Sequence, residues 1–296
     1  MMQKFKLKRK HREWLNGYLF IGLWLIGLIV FTVFPLMQAI FYSFNHATFY
    51  AGDIKLEWIW FDNFRYAFFE DTVFPLILVD YLAEIIIDVP FSITAALLLA
   101  MLLNQKIKLR GFWRVIFFLP VVISTGPVIS ELMGQGATSI PMLANSSFVH
   151  FMNEYLPTFI ARPVSLLFEK LIIVLWFSGI QILIFLAGLQ RLDKAIYEAA
   201  SIDGASPWQT FWKITLPSIK PFILLNVVYT IVSLSFFDMP TRPGEHTILS
   251  YIRAQSFEMG RRGYGYGCAL GIIYLVLIFL QIGIYFLFLK ERKSRR

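Results

Sequence analysis

Three carboxylates, Asp80, Glu84 and Asp88, recur every four residues inside an otherwise apolar run. On a helix that spacing aligns them along one face. Ionisable groups among so many apolar neighbours are costly, so they mark a wet path for a polar or cationic solute, or pairing with another helix. A second set is aromatic and polar. Trp176, Ser178 and Gln181 lie close together in one apolar run, and Tyr229, Ser233 and Phe236 recur at i, i+4 and i+7 in another. Ring faces beside hydroxyl and amide groups suit a hydroxyl-rich ligand such as a sugar, with its apolar C–H faces and polar edges. Ser and Gln also bond helix to helix in the same setting. Asn226 and Asp238 are weaker additions to this set.

The parts of a catalyst are missing from the sequence. His11, His46, His150 and His246 are scattered, and none pairs with another His or an acid at metal-ligand spacing. No G-x-x-x-x-G-K-[ST] occurs, so the chain has no loop of that kind with which to cradle ATP phosphates. Cys268 is the single cysteine, which excludes an intramolecular disulfide and a cysteine-based zinc cluster.

The elements that must carry these residues are set by composition. The chain has 296 residues, of which 57% are hydrophobic, 17% aromatic and 16% charged, with 30 Phe and 8 Trp. Its mean hydropathy is +0.64. That is too little polar surface for a soluble domain of this length, whereas lipid removes the requirement. Runs long enough to span lie near 17–44, 76–104, 111–133, 167–190, 219–239 and 266–289. Pro90 falls within the second run, and Pro120 and Pro127 within the third, a load that spanning helices tolerate as kinks. The first run is too long for a signal-peptide core and has no small-residue cleavage site after it, so it is expected to be an anchor.

The net charge of +8 sits at the ends of these runs rather than over a domain face, which argues topology and not nucleic acid. Lys4, Lys6, Lys8, Arg9, Lys10 and Arg12 precede the first run. Lys106, Lys108, Arg110 and Arg114 cluster at the second turn, and Arg191, Lys194 and Lys213 lie in the 191–218 loop. Lys290, Arg292, Lys293, Arg295 and Arg296 follow the last run. The 45–75 loop is acidic by comparison, and 134–166 holds few charges. The positive-inside rule thus puts both termini, the 105–110 turn and the 191–218 loop in the cytoplasm. The 242–265 loop, with Arg242, Arg253, Arg261 and Arg262, runs against the rule, and the span count places it outside.

The 191–218 loop reads as a helix–turn–helix on the cytoplasmic surface. Ala195 to Ala200 favour helix, and Gly204 permits a tight turn. Ser206-Pro207 is a helix start, a hydroxyl cap followed by Pro at the first helical position. Trp208, Phe211, Trp212 and Thr215 then mark a face that can bury. Pro217 and Pro221 end the element.

Glu198-Ala199-Ala200-Ser201-Ile202-Asp203-Gly204-Ala205, with Ile214, Leu216 and Pro217, resembles the EAA loop of binding-protein-dependent ABC transporter permeases. Leu98–Asn104, Arg110-Gly111, Phe118-Leu119-Pro120, Gly188-Leu189-Gln190 and Tyr264-Gly265-Tyr266-Gly267 are similar to segments of its carbohydrate-importer branch, the maltose and glycerol-phosphate permeases. The resemblance spans about residues 17–289. Two departures stand out: Asp80-Tyr81 where the family usually has Asn-Thr, and Thr241-Arg242-Pro243-Gly244 where it often has Gly-Gly-Pro.

The resemblance implies an all-α polytopic membrane protein of six transmembrane helices. Residues 1–16 are a cytoplasmic basic N-terminus, 17–289 the permease domain with its coupling loop, and 290–296 a cytoplasmic basic tail. It implies that Glu198, Ala199, Ala200, Asp203, Gly204, Ala205 and Pro217 belong to the loop that docks on a separate ATPase, which holds the ATP and Mg. It further implies a second homologous permease subunit, two ATPase subunits and an extracytoplasmic solute-binding protein meeting loops 45–75, 134–166 and 242–265. The chain itself would be non-catalytic, moving a carbohydrate, most simply an oligosaccharide, across the cell membrane. A polyamine or phosphate ester is the alternative cargo. A proton-coupled secondary transporter, which needs no docking loop, is a further alternative, and a membrane-embedded enzyme, for want of a catalytic constellation, the last.

Overall fold

A computed structural model of the chain describes residues 9–50, 53–105, 108–109, 111–116, 178–236, 246–257 and 262–289. Its backbone contacts divide it into two units, Met1–Val79 with Asp238–Leu277, and Asp80–Phe237 with Ile278–Arg296. Among the described residues three helices are long and apolar enough to cross a membrane: Phe20–Ser43, Phe74–Asn104 and Gly263–Leu289. Pro207–Ser218 with Lys220–Ser235 passes the same test as a pair bent by 66°. Ser178–Gln190 is a shorter apolar helix. Most of the expected span at 111–133, residues 167–177 of the one at 167–190, and all of the 134–166 loop lie outside the described residues.

Prolines shape these helices without always breaking them. The Phe74–Asn104 helix runs unbroken through Pro90, and the Thr94 hydroxyl donates 2.7 Å to the Pro90 carbonyl. Two wide, π-type turns, Ile29–Val33 and Phe211–Thr215, each end two residues before a proline, Pro35 and Pro217. A proline has no N–H for the carbonyl four residues back and its ring crowds that carbonyl. Widening the turn, so that Phe34 N–H bonds to Ile29 O and Leu216 N–H to Phe211 O, accommodates the defect. At Ile219 the backbone leaves helical geometry, with φ −92° and ψ 3°, and Pro221 opens the next helix. That pairing of a stop and a start produces the 66° bend.

The first unit departs from the all-α expectation. Strands Asn45–Tyr50 and Asp53–Trp58 form an antiparallel hairpin, with Ala47 opposite Leu56 and Asn45 opposite Trp58. Its strands are rich in β-branched and aromatic residues, and six-residue strands are too short to show in a scan for spans. Two glycines admit the hairpin against the Gly263–Leu289 helix. A side chain at Gly263 (φ +68°) would meet the Ala47 carbonyl, and one at Gly265 the Asn45 carbonyl. Asn63, fully buried, donates to the carbonyls of Ser43 and Asn45 at 2.9 and 3.1 Å and so ties the Asp62–Phe69 helix to the same strand.

In the second unit, Ala96, Leu97, Ala100 and Leu103 pack with Ile182, Phe185, Leu186, Leu189 and Ile219. A second cluster joins Ile85 and Val89 to Val227 and Ile231. Lipid is as apolar as these side chains, so close van der Waals packing rather than escape from water holds such helices together. Small residues make it feasible: a Cβ on Gly188 would stand 2.7 Å from the Phe222 ring.

Candidate functional site

The segment from Asp193 to Ser218 is built from local signals. The Asp193 carboxylate caps the Lys194–Ile202 helix by accepting from Ala195 N–H at 3.0 Å. The helix ends in a paired closure: Ala205 N–H donates to Ala200 O (2.9 Å) and Gly204 N–H to Ser201 O (3.1 Å). Those two bonds form a Schellman motif, which requires a left-handed residue at the position Gly204 fills with φ +73°. Ser206 then opens the next helix through a full capping box with Gln209, with Pro207 in its first turn. The chain folds back on itself where Tyr197 and Thr215 share a 2.9 Å hydrogen bond between hydroxyls.

Burial within this segment is narrow. Ala200 and Thr215 are buried, whereas Glu198, Ala199, Asp203, Gly204 and Pro217 are exposed and Ala205 is half-buried. Ile202 is 86% and Trp208 70% exposed, and Trp212 is exposed beside Trp208 with ring centroids 5.5 Å apart. Of the face that can bury, this chain itself buries Thr215 and half-buries Phe211, and leaves Trp208 and Trp212 exposed. The π-type turn Phe211–Thr215 interrupts the regular helical spacing here. What results is a small-residue ledge flanked by apolar side chains that this chain does not cover.

Within the apolar helices the structure gathers a different polar set from the one the spacing suggested. Ser178 and Gln181 are fully buried. Gln181 donates through Nε2 to Thr230 Oγ1 (2.5 Å), and its backbone carbonyl accepts from Asn226 Nδ2 at 3.4 Å. Asn226 and Thr230 are likewise buried. The side-chain oxygens of Gln181 and Asn226 accept no hydrogen bond among the described residues. Tyr229 and Ser233 are half-buried, Phe236 is exposed, and Trp176 and Asp238 lie outside the described residues. Thr230 was the residue the spacing missed. It sits four residues after Asn226 on the same helix face, a signal available from Asn226 itself.

Asp80 is exposed, while Glu84 and Asp88 are half-buried and each already engaged by an interaction. Their neighbour Tyr81 shares a 2.8 Å hydrogen bond with Ser235. The row is therefore no uniform carboxylate lining.

A polar cluster in the first unit had no sequence signal beyond one more acid in a loop. Asp71 Oδ1 accepts from Val73 and Phe74 N–H at 2.8 and 3.0 Å, and Oδ2 accepts from the hydroxyls of Tyr251 (2.7 Å) and Tyr266. Burial alone would raise its pKa, but the four donors outweigh it and hold the carboxyl below the ordinary carboxylate value. Burial and the adjacent carboxylate push the Tyr251 phenol upward. Nearby, Arg262 pairs with Asp62 at 2.6 Å and lies 4.0 Å over the Tyr66 ring. Tyr66, Glu70, Asp71, Thr72, Val73, Tyr251, Gln255, Arg262 and Tyr266 line a cleft of about 190 Å³.

Comparison with known proteins gives concordant results. Residues 73–293 match the family model described as binding-protein-dependent transport system inner membrane component. A probable ABC transporter permease of Bacillus subtilis, YesP, is 30% identical over 285 residues, covering 94% of this chain and 90% of the relative. The multiple sugar-binding transport system permease MsmF of Streptococcus mutans is 28% identical, covering 88% and 91%. The arabinooligosaccharides transport permease AraP of Bacillus subtilis is 30% identical, covering 88% and 84%. Among solved structures, a bacterial ABC transporter that imports alginate aligns with a TM-score of 0.62 at 21% identity, covering 97% of this chain and 98% of that one. That last likeness is one of fold.

Proposed function

On the premise that this chain belongs to the binding-protein-dependent transport system inner membrane components, we propose that it forms half of the translocation path of an ATP-driven carbohydrate importer. Such a chain is a non-catalytic, multi-pass membrane component. In this reading it crosses the plasma membrane six times with both termini in the cytoplasm. A second, homologous permease completes the path, two ATPase subunits carry ATP and Mg, and an extracytoplasmic binding protein delivers the sugar.

The observation that carries the coupling role is the Gly204 turn. It joins two capped helices into a stiff unit and leaves Glu198, Ala199, Asp203, Trp208 and Trp212 exposed. Apolar side chains left uncovered beside small residues fit insertion into a protein cleft. A stiff unit transmits a push, where a flexible loop absorbs it. Ala200, Ala205 and Pro217 belong to the same unit as its packed floor, its half-buried closing turn and the proline of its last helical turn.

Carbohydrate is favoured as the cargo because MsmF and AraP are sugar-transport permeases by name. For the sugar-facing groups we propose Gln181, Ser178 and Tyr229, with Trp176, Ser233 and Phe236 as further candidates. A buried amide oxygen that lacks a donor, as in Gln181, is an acceptor for a sugar hydroxyl or a water.

The decisive measurement is ATP-dependent oligosaccharide uptake by vesicles holding the complete assembly. Uptake should cease when the ATPase subunits are omitted, and should fall to background with Gly204→Pro, whose ring cannot adopt φ +73°. Uptake that persists without the ATPase would sink the importer reading.

A further inference from the structure

The hairpin carries an apolar stripe that stays exposed beside Asn45 and Ala47, which pair with it on the same face and are buried. Ile54, Leu56 and Trp58 alternate along one strand and are all exposed, while Lys55 and Glu57 occupy the opposite face. The stripe continues beyond the strand. Trp60 is 67% and Phe61 65% exposed, and the Trp60 ring stands edge-on to Trp58 with centroids 5.6 Å apart.

Trp60 also has a backbone φ of 55°. A bulky residue rarely adopts that left-handed conformation, which is natural for Gly or Asn. A turn that needed only to reverse the chain would be easier with glycine. Here a strained position holds an indole outward, and strain of this kind is kept where the surroundings or a function requires it.

The place of the stripe identifies what covers it. The Phe20–Ser43 helix is long enough to cross a membrane, and none of its apolar window is buried within the chain. It ends at Ser43, and the hairpin begins at Asn45. The aromatic groups run across this junction without a gap. Phe41, in the last turn of the spanning helix, has its ring centroid 6.0 Å from that of Trp58, and Phe44 stacks on Trp58 at 6.0 Å and meets Phe61 at 5.2 Å. A second spanning helix starts at Gly263, beneath the same hairpin. Two span ends thus fix the hairpin at the level where hydrocarbon gives way to headgroups. Trp and other amphipathic aromatics concentrate at that level.

We propose that the strand Asp53–Trp58, with Trp60 and Phe61 after it, is an interfacial anchor. Its Ile54–Leu56–Trp58 stripe and the Trp60 and Phe61 rings insert into the lipid headgroup boundary, and its Lys55–Glu57 face looks into water. The occupant is the lipid surface, because the stripe continues a helix long and apolar enough to span, whose apolar window this chain leaves uncovered. One consequence is that this part of the outer loop is taken up by membrane and is not offered to the solute-binding protein.

The alternation gives a test at single-residue resolution. In a Cys268→Ala background, Ile54→Cys, Leu56→Cys and Glu57→Cys are each labelled with an environment-sensitive fluorophore. The full-length chain, within its transporter complex, is reconstituted in phosphatidylcholine–phosphatidylglycerol vesicles with and without a headgroup-proximal nitroxide lipid. Quenching at 54 and 56 should exceed that at 57 by about threefold, with blue-shifted emission at the first two. Having two positions on the apolar face guards against a single variant that folds poorly. Equal quenching at all three positions would overturn the proposal. So would fluorophores at 54 and 56 that stay in water until the solute-binding protein is added, which would make the stripe a protein-docking surface instead.

Discussion

The phenol of Tyr251 donates a 2.7 Å hydrogen bond to the carboxylate of Asp71, 180 positions away in sequence. The same carboxylate caps the start of the Phe74–Asn104 helix through Val73 and Phe74 N–H. One side chain therefore fixes both the entry into a spanning helix and the position of the Ile248–Phe257 helix. Removing the donor in Tyr251→Phe leaves a partly buried carboxylate with three partners, and should cost about 2 kcal/mol, the usual value of a hydrogen bond to a charged group. Thermal unfolding in detergent measures it, and an unchanged midpoint would assign the contact no weight.

Asp71 also predicts an acid limb in stability. Its carboxyl is held below the ordinary value in the folded chain, so the stability it contributes is fully present above the unfolded value of about 4. That contribution is lost as pH falls through the lowered folded value. Asp71→Asn should be less stable than the parent at pH 7, and the gap should narrow as the pH falls below about 4. A gap that stays constant across that window would show that the group's charge is not what matters.

Gly204 supplies the third expectation. Its φ of +73° sits in open space, with nothing within 4 Å of an added Cβ. Gly204→Ala therefore tests backbone strain without a clash, at a cost of about 1 kcal/mol. Loss of the Ser206 cap in Ser206→Ala costs a similar amount, about 1 kcal/mol. If the segment transmits force, both variants should lower substrate-stimulated ATP hydrolysis in the assembled complex more than they lower its expression. Intact stimulation with both would separate the turn from coupling.

Periodicity and charge made the helices legible, because a span of some twenty apolar residues leaves its mark in any window. Phe74–Asn104 and Gly263–Leu289 lie within three residues of the bounds expected from hydropathy. The hairpin was not legible, since strands of six residues offer few alternations and the scan for spans passes over them. Nor was the wide turn Phe211–Thr215 before Pro217, which interrupts the regular helical spacing of that segment. Asp71 escaped notice because its significance lies in two tyrosines far along the chain, and no local pattern encodes a contact of that range.

Gly188 tests whether helix approach depends on a missing side chain. A Cβ there would stand 2.7 Å from the Phe222 ring, tighter than any relaxed carbon–carbon contact. Gly188→Val should force the Ser178–Gln190 and Lys220–Ser235 helices apart and destabilise by about 1–3 kcal/mol. Phe222→Leu should recover part of that loss by yielding space. A valine tolerated without any change in midpoint would mean that the ring gives way freely.

The Gln181–Thr230 pair separates a structural role from a functional one. Both side chains are buried and bonded to each other, yet the Gln181 oxygen accepts nothing among the described residues. Replacing one partner strands the other, so Thr230→Val alone should destabilise by about 1–3 kcal/mol. Replacing both, Gln181→Leu with Thr230→Val, removes the stranded groups and should return stability close to the parent, since apolar pairs of similar shape are near neutral. Transport discriminates the two roles. If the amide oxygen meets a sugar hydroxyl, the double variant keeps its assembly and basal ATP hydrolysis but shows a raised half-saturating oligosaccharide concentration for uptake. Tyr229→Ala should behave alike, with uptake impaired and the complex intact. A double variant that transports with parental affinity would make the pair a helix-to-helix bond and move the search for the sugar-facing groups to the neighbouring face at Tyr229 and Ser233.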